Sequence, residues 1–233
     1  MRMYRKLCWL PFSAVLLLAA DAPWQGKALE QWDENDAKQV LGDSPWVKFA
    51  EPLQVRDMSP DERRDSGNWE AGIAHGIGIT ALIGMFGDSV TLEEAIQRAH
   101  EKPKFEKVAI RWESSAAVRT AEIKAGEVGV PALAKDHYAI VVYDLPTPKR
   151  WNLEHELKGV AFLRRTKKKD VRPSDVQVLR QANGKATIVY LFPLSAEISK
   201  SDGRVEFLAQ VGRLVVSQSF YPADMQVQGE SQL

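Results

Sequence analysis

Cysteine is almost absent: the 233 residues contain one, Cys8, near the start of the chain. A domain lacking it elsewhere has no disulfide, no thiolate nucleophile and no cysteine metal ligand. No sign of charge is in excess, with 31 Lys+Arg against 31 Asp+Glu, which excludes a generally basic nucleic-acid binder. No apolar run reaches the roughly 20 residues of a permanent membrane span, so a polytopic membrane protein is excluded too. Histidine is scarce at four, and none has the paired spacing of a zinc-protease helix; His-Glu-Leu-Lys-Gly at 155–159 lacks the second histidine. Neither Gly-x-Ser-x-Gly nor Asp-x-x-His occurs, which leaves Ser89 of Gly87-Asp88-Ser89 without a base to take its proton.

What is present begins with compartment. Arg2, Arg5 and Lys6 precede an apolar run from Leu7 to Ala20, the layout of an export signal peptide. Pro23 spoils a cut after Ala22, so Gly26-Lys27-Ala28 is the expected site, giving a mature domain over 29–233. An uncleaved N-terminal anchor is the other reading, and both put the folded part outside the cytoplasm, periplasmic or secreted. Cleavage there removes four basic residues and Asp21, leaving 27 basic against 30 acidic groups. With 45% hydrophobic residues, about 200 residues can hold themselves together by their core alone.

Periodicity supplies the elements. Asp33 caps a short helix carrying Ala37, Val40 and Leu41 on one face, ended by Gly42. Residues 46–55 read as extended, with Pro52 favouring a sheet edge. Residues 57–68 read as a charged loop, and Thr91-Leu92-Glu93-Glu94 opens a helix to about 101. Val108, Ile110 and Trp112 alternate with Ala109 and Arg111, a half-buried strand, and a helix over 115–125 follows. Strand-like runs occupy 138–143 and 159–165. Asn183-Gly184 joins two more as a type I′ hairpin, and another hairpin spans 205–220, turning near Gly212. The expected fold class is α+β and β-rich, a mostly antiparallel sheet or sandwich of about eight strands with about three short helices, interrupted by a Gly-rich apolar insertion at 57–88.

The segments Trp32-Asp33, Asp36-Ala37-Lys38, Ser44-Pro45-Trp46, Arg111-Trp112-Glu113-Ser114 and Asp224-Met225…Gly229…Leu233 resemble an uncharacterised family of exported bacterial proteins. The resemblance spans most of the mature chain. It implies an intact exported domain and carries no activity, cofactor or catalytic residue with it.

Two clusters stand out as candidate contact surfaces. Residues 71–87 carry no formal charge, and Ile77, Ile79, Leu82, Ile83, Met85 and Phe86 would meet a membrane or an apolar ligand; the same run also reads as a glycine-rich connection packed on the sheet. Its Gly76-x-Gly78-x-x-Ala81 follows a turn and not a strand, which argues against a dinucleotide site. Arg164, Arg165, Lys167, Lys168 and Lys169, with Arg172, would face an anionic surface such as lipid headgroups, or form a solvated turn that guards a sheet edge. Trp32, Trp46, Trp69, Trp112 and Trp151 read as lining for a carbohydrate or apolar cleft, or as core. The leading expectation is an exported, non-enzymatic interaction or envelope-associated domain without cofactor or metal. Its partner would be an envelope protein or lipid surface, and nucleic acid is not expected. The competing expectation is a metal-independent hydrolase using carboxylates such as Glu113 and Asp144.

Overall fold

The computed structural model describes residues 22–54, 105–133, 136–146, 154–166, 168–212 and 214–233. The export signal up to residue 21, the loop and helix expected between 57 and 101, Trp69, Trp151, Lys167 and the apolar cluster Ile77, Ile79, Leu82, Ile83, Met85 and Phe86 lie outside the described residues.

The described chain is β-rich and α+β, as the alternation of its apolar residues requires. Two antiparallel sheets carry it. The first contains β1 (Val47–Ala50), β3 (Val108–Trp112), β4 (His137–Pro146), β7 (Lys185–Pro193) and β6 (Asp175–Arg180) in the order β1-β3-β4-β7-β6. The second contains β2 (Leu53–Gln54), β9 (Leu214–Phe220), β8 (Val205–Val211) and β5 (Ala161–Arg165) in the order β2-β9-β8-β5. Pro52 interrupts what would be one strand, and its two halves pair at the edges of different sheets, because proline cannot donate to a ladder.

Successive strand residues point to opposite faces, so one face of each sheet gathers the large apolar side chains. Ile110, Trp112, Ile140, Val142, Ile188, Tyr190 and Phe192 meet Leu163, Val205, Phe207, Ala209, Val216 and Phe220 in a single core. Edge-to-face ring pairs stitch the two sheets: Tyr190 and Phe192 against Phe207 at 5.2 and 6.4 Å, and Trp112 against Phe220 at 5.4 Å. Such pairs contribute about 0.5–1.5 kcal/mol each beyond the area they bury.

Four helices complete the described residues: α1 (Pro23–Gly26), α2 (Glu34–Gly42), α3 (Ala116–Ala125) and α4 (Glu154–Gly159). Asp33 caps α2 by accepting from the amides of Asn35 and Asp36, and Ser115 caps α3 by accepting from Ala117. Both helices set small apolar faces, Ala37, Val40 and Leu41 against Ala117, Val118 and Ala121, into the core. No helix among the described residues is long and apolar enough to cross a membrane.

Two turns depart from the sequence reading. The hairpin at Asn183-Gly184 forms, but of the two only Gly184 takes a positive φ, 81°. The loop is therefore not type I′, which needs both residues left-handed; it runs from Gln181 to Lys185 with one left-handed glycine closing it. The doubly left-handed turn occurs instead at Gln228-Gly229 (φ 50° and 84°), between β10 (Gln226–Val227) and β11 (Glu230–Ser231). This last hairpin folds back on the first described segment. The Gln228 amide donates to the Trp24 carbonyl at 3.2 Å, and the Trp46 indole Nε1 donates to the Gln232 carbonyl at 2.7 Å.

Candidate functional site

Where those two ends of the chain meet, a groove of about 360 Å³ opens. Ala22 and Trp24 come from the first segment, Gln39 from α2, Asp43, Ser44 and Pro45 from the turn into β1, and Lys48 from β1 itself; Tyr221 and Asp224 come from the bend after β9. Trp24 is half-buried, held edge-on against the buried Trp46 ring at 6.0 Å and 90°. Tyr221 stands 48% exposed. Ser44 is 3% exposed, and its hydroxyl has no hydrogen-bond partner. The groove thus combines two aromatic rings with two carboxylates, an amide, a hydroxyl and one ammonium. Its residues include Ser44-Pro45 and Asp224 of the segments singled out in the sequence, which lie far apart along the chain and meet here.

A second constellation lies at the end of β3 and contains the Arg-Trp-Glu-Ser segment. Alternation sends Trp112 into the core, while Arg111 and Glu113 leave by the other face. Ser114 fixes the neighbouring strand by accepting from the Ala139 amide at 3.1 Å, and the Glu113 amide donates to the Ala139 carbonyl at 2.8 Å. Helix α3, started immediately by Ser115, brings Arg119 and Glu122 back over the same spot, one turn apart on one face.

Arg119 Nη1 lies 3.0 Å from Glu113 Oε1 and 3.1 Å from Glu122 Oε2. Arg111 is held bidentate by Glu127 at 2.6 and 3.1 Å, reaches Glu122 at 3.3 Å, and lies 4.5 Å over the Tyr143 ring. Burial opposes the charge on Arg111, but the Glu127 carboxylate outweighs it and holds the guanidinium protonated. Glu113 has no solvent exposure. Burial first, then the hydrogen bond and charge of Glu122, push its carboxyl up to about 8, against the weaker pull of Tyr143 and Arg111. Burial likewise raises the Tyr143 phenol well above its usual range.

The sequence candidates take separate places. Glu113 pairs with Glu122 and not with Asp144, which lies five residues beyond Ala139 along β4, roughly 16 Å at strand spacing. Asp144 sits at a bulge with φ 54° and accepts from Gln181 Nε2 at 2.8 Å. In the basic cluster, Arg164 pairs with Glu206 at 3.7 Å and lies over Phe162. Arg165 donates to the Ala196 carbonyl at 2.7 Å and to that of Lys169, and Lys168 pairs at 2.5 Å with the buried Asp202. Much of its charge is therefore directed at the protein itself. Trp32, Trp46 and Trp112 are buried in the core. No group of three metal-ligating side chains occurs among the described residues. No protein-family model matches the chain, and comparison with curated proteins and with solved structures finds no match.

Proposed function

We propose that the protein is an exported, envelope-associated binding domain that keeps its N-terminal segment, as the uncleaved reading has it, and that the groove between Trp24 and Tyr221 holds a hydroxylated ligand of the saccharide class. The observation that carries this reading is the composition of the groove wall. Aromatic rings offer flat apolar faces to the C–H surface of a sugar, while Gln39, Asp43, Asp224 and Lys48 surround them with the donors and acceptors that fix hydroxyl groups. The export reading rests on the basic and apolar start of the chain and on the resemblance to exported bacterial proteins.

A hydrolase reading has one observation in its favour, the Glu113–Glu122 pair. That pair is sealed from solvent, and neither residue lines the groove, so the binding reading is preferred.

The test is titration of the full chain with soluble oligosaccharides of glucose, N-acetylglucosamine and glucuronic acid units, read by tryptophan fluorescence and calorimetry. Binding that weakens about tenfold in Trp24→Ala and in Tyr221→Ala supports the proposal, since loss of one stacking face removes on the order of 1–2 kcal/mol. Absence of binding to all three series at millimolar concentration would overturn it. Release of new reducing ends from any of them would replace it with the hydrolase reading.

A further inference from the structure

A count of charges at the end of β3 does not balance. Among the described residues, the groups that face one another there are Arg111 from β3, Glu113 beyond its end, Arg119 and Glu122 from α3, Glu127 from the following loop, and Tyr143 from β4. Three carboxylates oppose two guanidiniums. If every acid were ionised, a net negative charge would sit where Glu113 is wholly buried and Glu122 is 2% exposed. An uncompensated charge in such a place is strongly unfavourable, and one added proton removes it.

The geometry also says where that proton resides. Glu127 forms two short bonds with Arg111 and its side chain is 33% exposed, so it is satisfied as an anion. Glu113 and Glu122 each present an oxygen to the same nitrogen, Arg119 Nη1, which forces the two carboxyl groups together. The other oxygen of Glu113, Oε2, is buried without any partner. A carboxylate oxygen left in that state forfeits the hydration of its charge, whereas a neutral carboxyl group does not carry that penalty.

We propose that Glu113 and Glu122 form a proton-binding site, sharing one proton between two carboxyl groups, and that this proton allows α3 to dock against β3 and β4. The pair behaves as one titrating unit, whose last, shared proton leaves only above neutral pH. The consequence for stability follows from linkage. The unfolded chain releases this proton near pH 4.3, the folded chain near pH 8, so the folded state binds the extra proton between the two values. Stability contributed by the site is therefore complete below about pH 4.3, is lost as pH rises toward about 8, and levels off above that.

The experiment is denaturant unfolding of the full chain from pH 5 to 9, comparing wild type with Glu113→Gln and Glu122→Gln. An amide imitates the protonated acid and does not titrate. The expected result is a folding constant for the wild type that falls, relative to either variant, by up to tenfold per pH unit between about 5 and 8. Parallel profiles would overturn the proposal. Infrared spectra of the wild type provide a measurement independent of the variants' folding. A protonated carboxyl band present at pH 6 and lost by pH 9 supports the shared proton, and its absence at pH 6 overturns it.

Discussion

Residues 22–28 precede the site where export processing is expected to cut, yet they are packed into the fold. A chain beginning at Leu29 loses three described contacts of Trp24: the edge-to-face pair with Trp46, the hydrogen bond from Gln228, and its half-buried indole surface. The ring pair accounts for about 0.5–1.5 kcal/mol, the hydrogen bond for about 1 kcal/mol, and the indole surface for about 1 kcal/mol. Together they predict a loss of about 2–4 kcal/mol, a large share of the 5–15 kcal/mol typical of a domain. The assay is urea and thermal unfolding of chains beginning at Ala22 and at Leu29. The shorter chain should melt roughly 4–16 °C lower at this size. Coincident midpoints would refute the reasoning and show that the first segment adds nothing to the fold. Cleavage after Ala28 would release the shorter chain, so the N-terminus of protein recovered from cells shows which of the two stabilities matters in use.

Two further outcomes concern sites far from that segment. Asp202 is buried, which opposes its ionisation, but Lys168 and the Ser199 amide prevail and hold its carboxyl below the usual range. The stability it contributes is therefore complete above about pH 3.9 and is lost as pH falls through its lower folded value; Asp202→Asn should cost about 2 kcal/mol at neutral pH, with the gap to wild type closing on acidification in a urea-midpoint series. Gly184 has φ 81° in the β6–β7 loop, so Gly184→Ala should destabilise by about 1 kcal/mol in the same assay, and an unchanged midpoint would show that the loop adopts another turn.

The parts of the fold governed by local periodicity could be read from the sequence. Val108, Ile110 and Trp112 announced β3 by alternation, Asp33 announced α2 by its capping side chain, and Gly212 marked a hairpin. The Asn183-Gly184 dipeptide fixes where the turn falls but not its type, because it does not say how many residues the flanking ladder leaves for the loop. The groove could not be read, since its walls come from 22–48 and 221–224 and nothing local joins them. Glu113 and Asp144 stand out in the sequence as carboxylates, but the sequence alone does not say which acids pair, and the fold sets Glu113 against Glu122. A signal for the right partner was present. Arg119 and Glu122 lie one turn apart on a helix that begins three residues after Glu113, beside the apolar stripe of Val118 and Ala121.

The hydrogen bond from Trp46 to Gln232 spans 186 positions of the chain. In time this means that a segment made earlier waits for one made much later. A domain emerging end-first from a ribosome or a translocation channel holds the Trp46 indole without its carbonyl partner until residue 232 is free to return. Closing a loop of that length costs entropy that local contacts do not, so this contact belongs to the late part of folding. The Trp46–Gln232 bond therefore acts as a clasp that fastens only once both of its segments have been made, and Gln232 holds it through a backbone carbonyl.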